Sequence, residues 1–197
     1  MVRALALCCA CVLATPALAF AEWHITPMIG LTFAGKTTFT DQEQATGKVH
    51  PHLSLSGALL GGGLFGVEAI AGMTPGFFQA GDESLFVESS RVSVLMGNLL
   101  VTAPRRWTEY GLRPFVSGGF GLLRVSKEEP LDLLSVSENL FGYNIGGGAI
   151  GFFSRSTGVR FDFRYYGTVQ GSDRGPIAIG DVHLRFLTAS IGVVIRR

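Results

Sequence analysis

The chain has 197 residues, with sixteen Lys+Arg against fifteen Asp+Glu and a formal charge of +1, which excludes a general electrostatic attraction to nucleic acid. Charged residues make up 16%, against roughly 25% in soluble domains, and glycine is 27 of 197, about twice the usual ~7%. Yet past residue 21 no apolar run approaches the roughly 18 residues of a membrane helix. High apolarity without long apolar runs is the signature of alternating strands.

The N-terminus reads as an export signal. Met1-Val2-Arg3 is a short positive region, Ala4 to Thr15 is apolar, and Ala17-Leu18-Ala19 and Ala19-Phe20-Ala21 are both cleavage-site patterns. The expected division is a cleaved signal over 1–21 and one barrel domain over 22–197. The three cysteines, Cys8, Cys9 and Cys11, all lie in the signal. A mature chain without cysteine has no disulfide or thiolate metal site, which suits export through an oxidising compartment.

Eight extended segments follow, each bounded by turn chemistry. The first, Trp23 to Phe33, puts Trp23, Ile25, Pro27, Ile29, Leu31 and Phe33 on one face and His24, Thr26, Met28, Gly30 and Thr32 on the other. A polar loop over 34–49 leads to the second, His50 to Gly62, with Leu53, Leu55, Gly57 and Leu59 outward. Gly61-Gly62-Gly63 turns into the third, Phe65 to Thr74, where Phe65, Val67, Ala69, Ala71 and Met73 face out and Glu68 faces in. The fourth runs from about Leu85 to Val101; its parity is ambiguous, because Arg91 and Asn98 fall on opposite faces. The fifth is Arg113 to Val125, and a charged loop at 127–138 precedes the sixth, Asn139 to Phe153.

The seventh segment, Thr157 to Thr168, carries the clearest pattern. Val159, Phe161, Phe163 and Tyr165 share one face; Arg160, Asp162, Arg164 and Tyr166 share the other. If the short turn pairs residue 153 with 157, Asp162 opposes Gly148 and Arg164 opposes Gly146, so glycine makes room for long charged side chains. A loop at 169–181 leads to the eighth segment, Val182 to Arg196.

Connections alternate long and short, as in a membrane barrel with long extracellular loops, short periplasmic turns and periplasmic termini. Aromatic residues gather near segment ends: Trp23, Phe65, Trp107, Tyr110, Phe152 and Phe153 at one interface, and Phe33, Phe77, Phe78, Phe86, Phe141 and Tyr143 at the other. The expected fold is all-β, an eight-stranded antiparallel up-and-down transmembrane β-barrel. The competing reading is a soluble sandwich or lipocalin-like barrel.

Gly66-Val67-Glu68, Thr74-Pro75-Gly76-Phe77-Phe78, Met96-Gly97-Asn98, Arg113 to Gly119, Phe141 to Gly148 and Gly158 to Tyr165 together resemble the outer-membrane protein β-barrel domain family. These are the small porin-family, OmpA/OmpX-like eight-stranded barrels of Gram-negative envelopes, and the resemblance covers nearly the whole mature chain. It implies an outer-membrane location, outer-membrane lipid and the barrel-assembly machinery as partners, and a monomer. One departure is that such barrels usually end in an aromatic residue, where this chain has Ile195-Arg196-Arg197.

Several motifs invite other chemistry. Gly30 to Thr37 matches the phosphate-loop spacing, but no helix start follows it and Leu31 and Phe33 continue a strand face. His52-x-Ser54 with Glu68 has the residue types of an acyl-transfer triad, though parity turns them inward beside glycine and serine. His24, His50, His52 and His183 share no metal-ligand spacing. No catalytic residue, metal site or cofactor is expected. The candidate functional residues are a polar network in the lumen: Glu68, Asn144, Arg160, Asp162 and Arg164. Eight strands enclose a space just wide enough for side chains to fill, so the expected role is structural or surface-interacting, through loops that contact an extracellular ligand. A narrow passive channel and a lipid-acting enzyme are the alternatives.

Overall fold

The computed structural model describes residues 22–37, 49–60, 64–77, 89–104, 112–128, 136–169 and 183–197. The expected signal segment, most loop residues, residues 85–88, and Trp107, Tyr110, Phe78 and Phe86 of the expected belts lie outside these.

Eight strands run in chain order: β1 Glu22–Thr37, β2 His50–Leu60, β3 Phe65–Pro75, β4 Ser89–Thr102, β5 Arg113–Glu128, β6 Val136–Phe152, β7 Thr157–Thr168 and β8 Leu184–Arg196. Each pairs antiparallel with its chain neighbours, and β1 pairs with β8 to close a barrel. Closure leaves no unpaired strand edge. Trp23 and Arg197 exchange backbone hydrogen bonds at the seam, which fixes the start of β1 beside the end of β8.

Side chains alternate between the two faces with the polarity of a soluble protein reversed. Leu99 is 69% exposed, Ile145 62% and Phe163 50%, while Arg160 is 1% and Arg164 0% exposed. β4 obeys the same rule: Asn98 is buried and Arg91 exposed, so the two do lie on opposite faces, with Arg91 outward near the strand end. The β6–β7 register sets Gly148 against Asp162 and Gly146 against Arg164, as the turn length implies.

Strand ends extend past the alternating apolar pattern. β1 continues four residues beyond Phe33 through a register shift between Phe33 and Lys36, with Ala34 at φ 52. An extra residue in one strand is taken up as a bulge, and here it lets polar residues keep pairing with β8. β5 and β6 likewise run on to Glu128 and back to Val136.

The interior is stacked in layers. At the end where β1 starts and β8 finishes, Ala58, Leu60, Leu100, Phe115, Ile150 and Val194 form an apolar cluster with Phe152 packed on it. At the opposite, distal end a larger cluster includes Ile70, Phe77, Met96, Leu123, Tyr166 and Phe186. Polar side chains fill the level between. Two aromatics expected in the belts belong to these clusters instead. Phe77 is fully buried, with its ring 5.3 Å from Phe186 and 5.8 Å from His50. Gly76 at φ 70 turns the chain after β3, its amide bonds the Ser90 carbonyl at 2.8 Å, and Phe77 folds over the mouth. Phe152 shares the inward parity of Ile150, and Arg196 stacks on its ring at 4.4 Å. Trp23, Phe65, Phe153 and Phe141 do face outward.

Candidate functional site: a charged layer across the lumen

The strand period places Arg160, Asp162 and Arg164 on one face of β7, so Asp162 lies between two guanidinium groups. Arg160 Nη2 donates to Asp162 Oδ2 at 2.6 Å. Arg164 reaches the same carboxylate twice, Nε to Oδ1 at 3.1 Å and Nη2 to Oδ2 at 3.0 Å. Such forked, charge-assisted contacts fix orientation as well as adding strength.

Glu68 enters from β3, four strands away and therefore on the facing wall. Its Oε1 lies 2.6 Å from Arg160 Nη1 and accepts from Ser56 Oγ at 2.5 Å. Its Oε2 accepts from Arg164 Nη2 at 3.0 Å and from Asn98 Nδ2 at 3.1 Å. Asn144 closes the ring: Arg164 Nη1 donates to its Oδ1 at 3.1 Å, and its Nδ2 donates to Asn98 Oδ1 at 2.7 Å. The structure thus brings Glu68, Asn144, Arg160, Asp162 and Arg164 into one network, each at most 6% exposed.

Two arginines and two carboxylates cancel in charge, and every carboxylate oxygen accepts at least one hydrogen bond. Both conditions matter, because an unpaired buried charge is costly whereas a matched set is close to neutral in stability. Room for the arginines comes from β6. A Cβ on Gly146 would lie 3.0 Å from both Cα and Cγ of Arg164 and 2.6 Å from the Phe163 carbonyl, and one on Gly148 would overlap the Phe161 carbonyl.

Ser56, Asn98 and Phe115 complete the layer and were not among the five residues singled out in the sequence. Arg160 lies over the Phe115 ring at 4.5 Å, a cation–π contact from β5. Asn98 carried a signal of its own, a polar residue between Gly97 and Leu99 in the apolar middle of β4, and the β3–β4 register sets it opposite Glu68. Phe115 carries no such mark.

The other motifs resolve into separate surroundings. His52 Nδ1 bonds Thr74 Oγ1 at 2.9 Å, and Thr74 bonds Thr32 at 3.0 Å, whereas Glu68 is engaged by arginines. Lys36 and Thr37 of the phosphate-loop pattern sit in the β1–β8 ladder opposite Arg185 and Leu184. At the terminal end His24 stands edge-on to Phe152 at 5.4 Å, and Arg113 donates from Nε to the Ala103 carbonyl and from Nη2 to Thr102 Oγ1, both at 2.7 Å.

Neither a protein-family model nor a curated protein sequence matches the chain. Solved structures do. Neisserial surface protein A aligns with a TM-score of 0.63 at 10% identity, covering 88% of this chain and 96% of its own. This is the fold of the eight-stranded outer-membrane barrels. A major outer membrane protein from Thermus thermophilus aligns with a TM-score of 0.55 at 15% identity, over 90% of this chain and 99% of its own. Ail, the attachment invasion locus protein of Yersinia pestis, solved in complex with the heparin analogue sucrose octasulfate, aligns with a TM-score of 0.54 at 13% identity, over 89% and 99%.

Proposed function

We propose that this protein is an integral outer-membrane barrel with a closed lumen, non-catalytic, whose exposed loops make its surface contacts. One observation carries the reading: apolar side chains cover the outside while five charged side chains, Glu68, Arg113, Arg160, Asp162 and Arg164, are buried inside. Water would leave so much apolar surface unfavourably exposed, whereas lipid is its natural surrounding. The fold shared with outer-membrane barrels supports the same location. The surface and attachment names of two of those neighbours support a contact role for the loops. Closure of β1 on β8 supports a monomer, inserted by the barrel-assembly machinery and surrounded by outer-membrane lipid. An apolar cluster above and another below the charged layer support a barrel that conducts no ions.

The test is fractionation of the expressed protein followed by planar-bilayer recording of the refolded chain. The expected outcome is outer-membrane recovery, heat-modifiable gel migration and no steady conductance. Recovery of native protein in the soluble fraction would contradict the location, and a stable ohmic conductance would replace the closed barrel with a passive channel.

A further inference from the structure

On the outward faces of the strands, charge is confined to one end. Among the described side chains the outward-facing charges are Lys36, Arg91, Arg124 and Arg185, all basic and all near the distal ends of their strands, which the membrane reading places on the extracellular side. Lys36 and Arg185 stand directly opposite each other in the β1–β8 register, and both are exposed. Like charges at facing positions repel, and among the described residues no acidic side chain bridges them. Gly167 of β7 lies between Arg185 of β8 and Tyr143 of β6 in the strand register, and two residues away on the same face of β7 is Tyr165, whose ring centre is 6.1 Å from that of Tyr143. Two cations and two phenols thus form one outward-facing strip over β6, β7, β8 and β1.

Below the strip the wall is apolar. A groove of about 960 Å³ crosses the outside of the barrel at mid-height, lined by Ile29, Leu53, Leu55, Met73, Ile191 and Val193 among others. Ile29 and Ile191 face each other on the same two strands that carry Lys36 and Arg185. From Lys36 down to Ile29 is roughly 20 Å along the strand at ~3.3 Å per residue. Strands tilted by about 45° turn this into about 15 Å of depth, half of a ~30 Å hydrocarbon core. Cationic head and apolar groove are one acyl chain apart.

We propose that Lys36, Arg185, Tyr165 and Tyr143 bind the phosphate of an anionic outer-leaflet lipid, with an acyl chain lying along the β8–β1 seam into the groove. The inference rests on the membrane reading above and names the lipid class that reading leaves open. An anion between Lys36 and Arg185 would convert their repulsion into a bridge, and the phenols would donate to the remaining phosphate oxygens.

The test uses the refolded chain in an uncharged detergent and bisphosphorylated lipid A as probe, with retained lipid counted by native mass spectrometry. Each basic residue near an anionic headgroup contributes about fivefold in affinity. Lys36→Gln and Arg185→Gln are each expected to weaken retention about fivefold, and the double variant roughly twentyfold. Arg155→Gln with Arg197→Gln, which removes equal charge at the other end, should change it by less than about twofold. Equal loss in both double variants, or none in K36Q/R185Q, overturns the site. Competition by sodium phosphate at the lipid's own concentration assigns the ligand to free phosphate and overturns the lipid. A wild-type chain that is soluble without detergent overturns the membrane reading and this inference together, whereas heat-modifiable barrels with unaltered retention overturn the site alone.

Discussion

Glu68 on β3 and Arg164 on β7 grow from facing walls of the barrel, yet Glu68 Oε2 accepts from Arg164 Nη2 at 3.0 Å. One Glu and one Arg side chain together span the lumen. The barrel is therefore as narrow as a filled eight-stranded barrel should be, and the contact ties together strands that share no backbone hydrogen bond.

Removing one member of that contact leaves an uncompensated buried charge. Glu68→Gln should lower unfolding stability in detergent by about 3–5 kcal/mol. Adding Arg160→Gln should recover much of the loss, because Arg164 and Asp162 remain as a forked pair at 3.1 and 3.0 Å. Adding Arg164→Gln instead should recover less, since Arg160 holds Asp162 by a single contact. Urea unfolding followed by tryptophan fluorescence measures all three; strictly additive losses would show that the groups act independently.

Phe163 and Phe65 are both exposed on outward faces, Phe163 at mid-strand and Phe65 at the first residue of β3. Phe163→Arg should cost about 2–4 kcal/mol in a bilayer and Phe65→Arg only about 0–1, because the penalty follows depth. Folding equilibria in lipid vesicles give the comparison. Equal costs at the two positions would contradict a lipid-facing wall.

Phe77 seals the distal mouth through its contacts with Phe186 and His50. Phe77→Ala should destabilise the barrel by about 3–5 kcal/mol. Bilayer recordings of the same variant should still show no conductance, because the charged layer below remains intact.

Arg196 ties the chain end to the barrel floor. Its guanidinium lies over Phe152 and donates to the Arg155 carbonyl, and Nη1 lies 3.5 Å from Glu22. Arg196→Ala should accelerate amide exchange of Trp23, which bonds the Arg197 carbonyl, while leaving mid-strand amides protected. Unchanged exchange at Trp23 would mean the backbone ladder alone holds the seam.

The fold was legible where chemistry alternates with depth. β7 declares its faces because charge and aromatic groups alternate without a break, and the short turn before it fixes the β6 register. β4 was ambiguous for a physical reason: Arg91 lies near a strand end, where an outward charge is tolerated, so polarity stops marking the inner face. Phe77 and Phe152 were misread as belt residues because an aromatic at a strand end serves equally well in a belt or as a plug, and only a turn such as that at Gly76 decides which. The five charged and polar site residues were legible as inward-facing. The equal distance of Glu68 and Arg160 from the short turns that open β3 and β7 puts them at one depth, so the sequence points Glu68 at Arg160 or Arg164; that it holds both at once was not legible. Phe115 was invisible, being one more apolar residue until Arg160 lies over it.

The chain beyond the expected signal contains no cysteine, so single-cysteine spin labels on β7 test the account most directly. Labels at positions 159, 161, 163 and 165 in vesicle-inserted protein should collide often with oxygen and rarely with a water-soluble nickel complex, with the greatest contrast at 161 and 163. High nickel accessibility at 161 and 163 would place that aromatic face in water and contradict the membrane barrel.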